Sequence, residues 1–458
     1  MKRYFICCCI SVAITLPTSA QYATSVGDGS PVATARQWSL RECCDYAIAH
    51  SISIRQQENQ CRQREVQLST ARNSRLPDLS GTVSQNFNFG RGLTAENTYS
   101  NTNTSSTSFQ LGTSMPLFTG FQIPNQIKVN RLNLEAATAD LEKAKEDIEM
   151  QVAKAYVQIL YDIEIGEVAS RQIAIDSAQV ARLQAMVNNG KASEAELSQQ
   201  KATLANSRLT ATQADNNTRL AILALTQLLE LPVPQGFSVV RPAISVNDGY
   251  NISAIVFPSP DIIYAEALGL KPEIAAQQLR LQAADRNIKI AEAGFYPTLS
   301  LSGGLGTNYY TTSGRTSDGF GTQMKNNFSQ YIGLNLNIPI FRRFQTRNSV
   351  RTARIEMENQ QLQLDNAKKT LYKEIQQVYY NARNAQAKAE SSQEALANSQ
   401  EAFKLMQAKY ENGKATITEF NESKNNYLKS ESDLVQARYE LLYQQALVDF
   451  YRGRQLAF

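Results

Sequence analysis

The sequence predicts an α+β membrane protein written as two structural repeats, each a β-hairpin of a transmembrane barrel attached to long coiled-coil helices. Three observations carry that expectation. The stretch NNGKASEAE at 188–196 returns 223 positions later as ENGKATITE at 411–419. Apolar residues alternate with polar ones in four segments, and they fall seven apart along two much longer ones.

From the N-terminus, Lys2 and Arg3, the apolar Phe5 to Leu16 and the small Thr18-Ser19-Ala20 predict a signal peptide over 1–20, with the mature chain starting at Gln21. Cys7, Cys8 and Cys9 lie inside the apolar run and lack the small residues that precede a lipidated cysteine. Residues 21–37 form an N-terminal extension. The remaining Cys43, Cys44 and Cys61 are too few for a disulfide framework and are expected as buried free thiols. No later run reaches the roughly 18 apolar residues that a membrane helix needs.

The first repeat spans 38–231. A helix over 39–74 opens on Ser39 with Glu42 three residues later, the pattern of a capping box. Strands follow at 78–89, with Leu79, Val83, Phe87 and Phe89 on one parity, and at 108–118, with Phe109, Leu111, Met115 and Leu117. Strands of about ten residues match tilted β structure across a bilayer. Gln85 and Thr113 interrupt the apolar face. A helix over 125–188 carries Ile127, Leu134, Leu141 and Ile148 at heptad spacing, which predicts supercoiled packing. It would reach roughly 95 Å at about 1.5 Å per residue. A second helix runs over 194–230.

Pro232, Pro234, Pro242, Pro258 and Pro260 mark a linker over 232–260. The second repeat, 261–452, then gives a helix at 272–294, strands at 298–310 and 329–340, and helices at 348–411 and 416–450. A tail covers 453–458. The copies align without insertion from Pro116 on Pro339 through Tyr156 on Tyr379 to Lys201 on Lys424. The segments between paired strands are rich in Gly, Ser, Thr and Asn and are expected as loops.

Forty-six basic and 42 acidic residues leave a net charge of +4, too even a balance for a nucleic-acid surface. His50 is the only histidine, and no metal-ligand spacing surrounds it. No catalytic group, metal or cofactor is expected. The GK pairs lack the upstream glycine and strand of a phosphate loop. In NGKA, a glycine after asparagine suits the left-handed end of a helix, and Ser193 and Thr416 can cap the next one.

Four strands per chain leave two open edges, which a bilayer does not tolerate, and too few strands to close alone. The hairpins of several chains must therefore combine. Two chains would give eight strands and three would give twelve.

The WSL-x-E-C opening, the strand-ending MPLFTG and IPIFRRF stretches, the duplicated plan and the NGKA tips resemble the outer-membrane efflux protein family, the TolC channels, over 38–452. The resemblance implies a homotrimer with a twelve-stranded β-barrel in outer-membrane lipid and a twelve-helix α-barrel in the periplasm. It implies the exit duct of a tripartite efflux or type I secretion system, fed by an inner-membrane pump and a periplasmic adaptor.

By the same resemblance, Glu419 and Glu422 form a pore constriction, with Glu196 and Gln199 at the matching places of the first copy. Tyr410 and Glu196 occupy places of a closed-state latch; the family's arginine is Ala415 here, with Lys414 beside it. The adaptor would dock on Asn189, Gly190, Lys191 and Ala192 and on Asn412, Gly413, Lys414 and Ala415. The rival reading is a structural or adhesive coiled-coil protein whose hairpins form a soluble β-head.

Overall fold

A computed structural model describes residues 37–93, 97–101, 103–231, 236–241, 252, 255–313 and 315–456. The expected signal peptide and all of the extension but Gln37 lie outside the described residues, as do 232–235, 242–251 and 253–254 of the linker and the last two residues of the tail.

The chain runs β1 (Gln37–Trp38), α1 (Leu40–His50), α2 (Ile52–Asn73), β2 (Asp78–Asn88), β3 (Arg91–Leu93), β4 (Tyr99–Asn101), β5 (Thr104–Thr119), α3 (Gln122–Asn188) and α4 (Glu194–Leu228). It continues with β6 (Ser238–Val239), α5 (Pro260–Leu270), α6 (Pro272–Glu292), β7 (Thr298–Thr312), α7 (Phe320–Asn326), β8 (Ser329–Asn337), α8 (Gln345–Glu411) and α9 (Ile417–Tyr451). The long helices α3 and α8 have 67 residues each, and α4 and α9 have 35 each. Both pairs are offset by 223 positions.

Several boundaries differ from the sequence expectation, each for a local reason. The helix expected over 39–74 is two helices, because Ser51 turns to ψ 130° while its N–H still closes on the Ala47 carbonyl. α1 carries Cys43 and Cys44 into the core, whereas Cys61 on α2 is only half-buried, not buried as expected. An unforeseen helix, α5, opens at Pro260, which the sequence pattern places at the end of the linker. Pro260 and Pro272 both stand at helix starts, where a missing N–H costs nothing. α3 begins at Gln122 and includes Pro124 in its first turn, where N–H groups have no intrahelical partner anyway.

Four strands form one antiparallel sheet in the order β2-β5-β7-β8. β5 starts earlier than expected, at Thr104, and β8 stops earlier, at Asn337. The register puts Leu79 opposite Thr113, Val83 opposite Phe109, Leu111 opposite Leu305, and Leu299 opposite Leu336. These residues share one face, and most of its apolar side chains are exposed. Ser84 and Ser108, bonded at 2.6 Å, share the other face with Thr82, Gln110 and Asn308. The two polar interruptions are matched in place. Gln85 donates to Ser105 Oγ at 2.8 Å and accepts from Thr107, and the Thr113 hydroxyl donates to the Asp78 carbonyl.

Among the described residues, β2 and β8 pair on one side only. β7 runs beyond β8, and α7, in a segment expected as loop, folds against the surplus. There the Gln323 amide accepts from Tyr310 N–H and donates to the Tyr310 carbonyl, both at 3.0 Å. β3 and β4 form a small separate hairpin in the other inter-strand segment.

Each strand-to-helix junction places two residues in the left-handed region: Gly120 and Phe121 before α3, Arg343 and Phe344 before α8. Beyond the junctions, α6 lies between α3 and α8, and α2 flanks α3. Midway along the long helices the main core gathers α1, α3, α4 and the end of α9 around Ala47, Val152, Ile159, Leu225 and Phe450. A second core joins α5, α6, α8 and α9. The described helices include none long and apolar enough to cross a membrane.

Candidate functional site

At the far end from the sheet, α3 reverses into α4 and α8 into α9. Asn189 and Asn412 are the helix C-caps, and Gly190 and Gly413 follow with φ of 71° and 69°. Gly190 N–H bonds to the Val187 carbonyl at 2.9 Å and Lys191 N–H to Met186 at 2.8 Å. Gly413 bonds to Tyr410 at 3.0 Å and Lys414 to Lys409 at 2.9 Å in the same pattern. These two bonds make a Schellman motif, which satisfies the last carbonyls of each long helix.

The next residues start the return helix. Ser193 accepts from Glu196 N–H while the Glu196 carboxylate accepts from Ser193 N–H; Thr416 and Glu419 do the same. The duplicated nine residues are therefore a C-cap glycine followed by a capping box. Their S/T-x-x-E spacing was visible in the sequence but was read there only for Ser39 and Glu42.

The Glu419 carboxylate thus accepts from Thr416 N–H at 2.7 Å and from its hydroxyl at 2.8 Å. Those bonds, the backbone one first, hold its carboxyl below the usual glutamate range. Glu422 stands one turn further along the same face, exposed like Glu419. Asn189, Gly190, Lys191, Asn412, Gly413 and Lys414 are exposed, while Ala192 and Ala415 are half-buried. A Cβ on either glycine would meet nothing within 4 Å.

Tyr410 sits at the contact between the two hairpins. Its hydroxyl accepts from Gln179 Nε2 at 2.6 Å, and Arg182 lies over its ring at 5.2 Å while donating to the Glu411 carbonyl at 3.1 Å. Burial pushes its phenol pKa up. Phe420 stacks on the Tyr410 ring at 5.0 Å. Of the three residues the resemblance assigns to a latch, Tyr410 touches α3, Glu196 bonds within its own capping box, and Lys414 is exposed.

About three to four turns behind the tips, the sequence gives no hint of what the structure brings together. Lys424 of α9 forms an ion pair with Asp176 of α3, and both side chains are 0% exposed. Ser207 donates to the other Asp176 oxygen at 2.5 Å, and Gln200 donates to the first at 3.3 Å. Asn421 in turn donates to Gln200 Oε1 at 3.0 Å. Three helices, α3, α4 and α9, meet on this one carboxylate. Among the described residues, no group of three or more His, Cys, Asp or Glu could hold a metal.

A family profile described as outer membrane efflux protein matches residues 44–230 and 263–453. The outer membrane efflux protein BepC of Brucella suis is 24% identical over 299 residues, 65% of this chain and 59% of that protein. The fusaric acid resistance protein FusA of Burkholderia cepacia is 26% identical over 257 residues, 54% of this chain and 45% of that protein. The chain thus spans about half the length of these curated relatives. Among solved structures, the CmeC outer membrane channel of Campylobacter jejuni superposes with a TM-score of 0.74 at 17% identity, covering 92% of this chain and 87% of that one. VceC of Vibrio cholerae gives 0.72 at 18% identity, covering 91% and 97%. Matched by one profile over both halves, the chain belongs to the outer membrane efflux protein family: a TolC-type protein of the outer membrane with its helical part in the periplasm.

Proposed function

We propose that three copies of the chain assemble into the passive exit duct of a tripartite efflux or type I secretion system. The observation that carries this reading is a four-stranded sheet with an apolar face, a polar face and two open edges, β2 and β8. Edges unpaired in lipid leave N–H and C=O groups without partners, so β8 of one copy pairs with β2 of the next. Three copies give twelve strands, above the about eight that closure requires, and leave a lumen lined by the polar face. The helices continue that tube through the periplasm as a twelve-helix barrel.

The tips are the place where a periplasmic adaptor, and through it an inner-membrane pump, engages. Rigid Schellman turns with exposed backbone at Gly190 and Gly413, flanked by the small Ala192 and Ala415, suit hairpins packing between helices. Glu419 and Glu422 from three copies form an acidic constriction that favours cations. The closed tip is held by Tyr410 on Gln179 and Arg182 on Glu411, with the Glu196 charge near enough to act on the Tyr410 phenol and Lys414 exposed in the turn. A channel needs no catalytic group.

The test is biochemical. Purified from membranes, the protein requires detergent and runs as a trimer that heating dissociates. A monomer soluble in plain buffer would reject the duct and favour a soluble β-head.

A further inference from the structure

We propose that the start of α8 is a docking surface for anionic phospholipid headgroups in the periplasmic leaflet of the outer membrane. The proposal rests on the reading above, in which the apolar sheet face meets lipid. Arg342 and Arg343 precede α8, and Arg347, Arg351 and Arg354 follow within its first three turns. All five are exposed, and no ion pair among the described residues engages any of them. Cations at a helix N-terminus oppose the helix dipole. Five there, with Glu356 the first acid after them along the chain and Glu292 at the adjoining end of α6 already paired with Lys289, call for an anionic partner outside the protomer.

The depth of the stripe follows from its aromatic neighbours. Phe118 stands opposite Leu299 on the apolar sheet face, and its ring meets Phe121 edge-on at 5.3 Å. Phe121 therefore lies on the lipid side, just beyond the sheet. Phe344 is its counterpart 223 positions on, with the same left-handed backbone, and contacts Phe341 at 5.7 Å. Arg347 and Arg351 stand three and seven residues after Phe344 and, at i and i+4 within α8, share one helix face with each other. At about 1.5 Å per residue they lie roughly 5 and 10 Å below the aromatic ring, within an arginine's reach of the headgroup layer.

The first repeat has Thr119, Gly120, Pro124, Lys128 and Arg131 at the matching positions, so the surface occurs once per chain. Guanidinium groups bind phosphate in a bidentate way that lysine does not, which fits a stripe written wholly in arginine.

The experiment uses the full chain reconstituted in nanodiscs of equal phosphatidylcholine and phosphatidylglycerol, re-extracted, with retained lipid counted by mass spectrometry. The expected result is phosphatidylglycerol enrichment of about fivefold or more over the bulk ratio. Substituting Arg347, Arg351 and Arg354 by Gln together returns the ratio to bulk, while Arg208→Gln on α4 leaves it enriched. Wild type at the bulk ratio, or a triple variant still enriched, overturns the proposal. Loss of trimer with lipid preference intact would overturn it too, by assigning the stripe to a second copy of the chain. Insertion into pure phosphatidylcholine vesicles is measured first: failure there by the wild type sinks the membrane reading itself, and success by the triple variant shows that it folds.

Discussion

Lys424 and Asp176 form an ion pair across the contact of α9 with α3, and neither side chain reaches solvent. Their matching residues in the other repeat are Lys201, which is exposed and bonds Gln184 at 3.2 Å, and Ser399. The pair therefore ties the two hairpins together where α9 meets α3, and Lys201 and Ser399 do not repeat it between α4 and α8. Removing one partner leaves a buried charge without compensation, which costs about 3–5 kcal/mol. Lys424→Met should lower the thermal midpoint of the detergent-solubilised protein sharply, and adding Asp176→Leu should restore most of the loss. Equal stability of the single variant and the wild type would mean that water already reaches the pair.

Gly120 gives a second contrast. With φ at 61°, it also has no room for a side chain, because a Cβ would sit 2.7 Å from the Ala293 carbonyl oxygen and 2.8 Å from Tyr296 Cβ. Gly120→Ala should cost about 1–3 kcal/mol, through strain and a displaced α6 end. Gly413→Ala meets open space and carries only the left-handed penalty, about 1 kcal/mol. Denaturation of both variants side by side checks the ranking; an equal loss would show that backbone strain alone decides.

Much of this architecture was legible because each period has one physical origin. Alternation marked the four strands, since one sheet face is apolar, and sevens marked α3 and α8. The break at Ser51 was not legible, because helical residues continue on both sides of it. α5 was hidden by Pro260, which serves a helix start as well as a linker. The tip turns were legible in part: the glycines and the Ser193 and Thr416 caps stand in the sequence, whereas a glutamate three residues on fits a capping box and a pore-facing acid equally well until its bonds are seen. Lys424 with Asp176 had no sequence signal, since 248 positions separate them and both sit among polar helix residues.

At the tips, function and stability should separate. Gly190 and Gly413 are exposed and a Cβ on either meets nothing within 4 Å, so a bulky residue there disturbs the surface more than the core. Gly190→Trp or Gly413→Trp should abolish export of a reporter substrate while trimer yield in the membrane stays at wild-type level. Normal export by both variants would dismiss the tips as the adaptor's docking site.

Glu419 can be made to report its two roles separately. Its depressed carboxyl pKa means that the capping box contributes stability above the ordinary glutamate range and loses it as pH falls through the lowered value. The protection of Thr416 N–H against hydrogen exchange, measured relative to the intrinsic rate at each pH, should therefore hold at neutral pH, where the N–H bonds the carboxylate at 2.7 Å, and be lost only below the ordinary glutamate range. Glu419→Ala removes the acceptor and should expose that amide at every pH. Glu419→Gln keeps an oxygen in place and removes the charge, since glutamine also serves in a capping box. Combined with Glu422→Gln, it should leave exchange slow while lowering cation preference in planar-bilayer conductance. Unchanged selectivity with an intact cap would confine Glu419 to holding the first turn of α9 and take both carboxylates out of the pore.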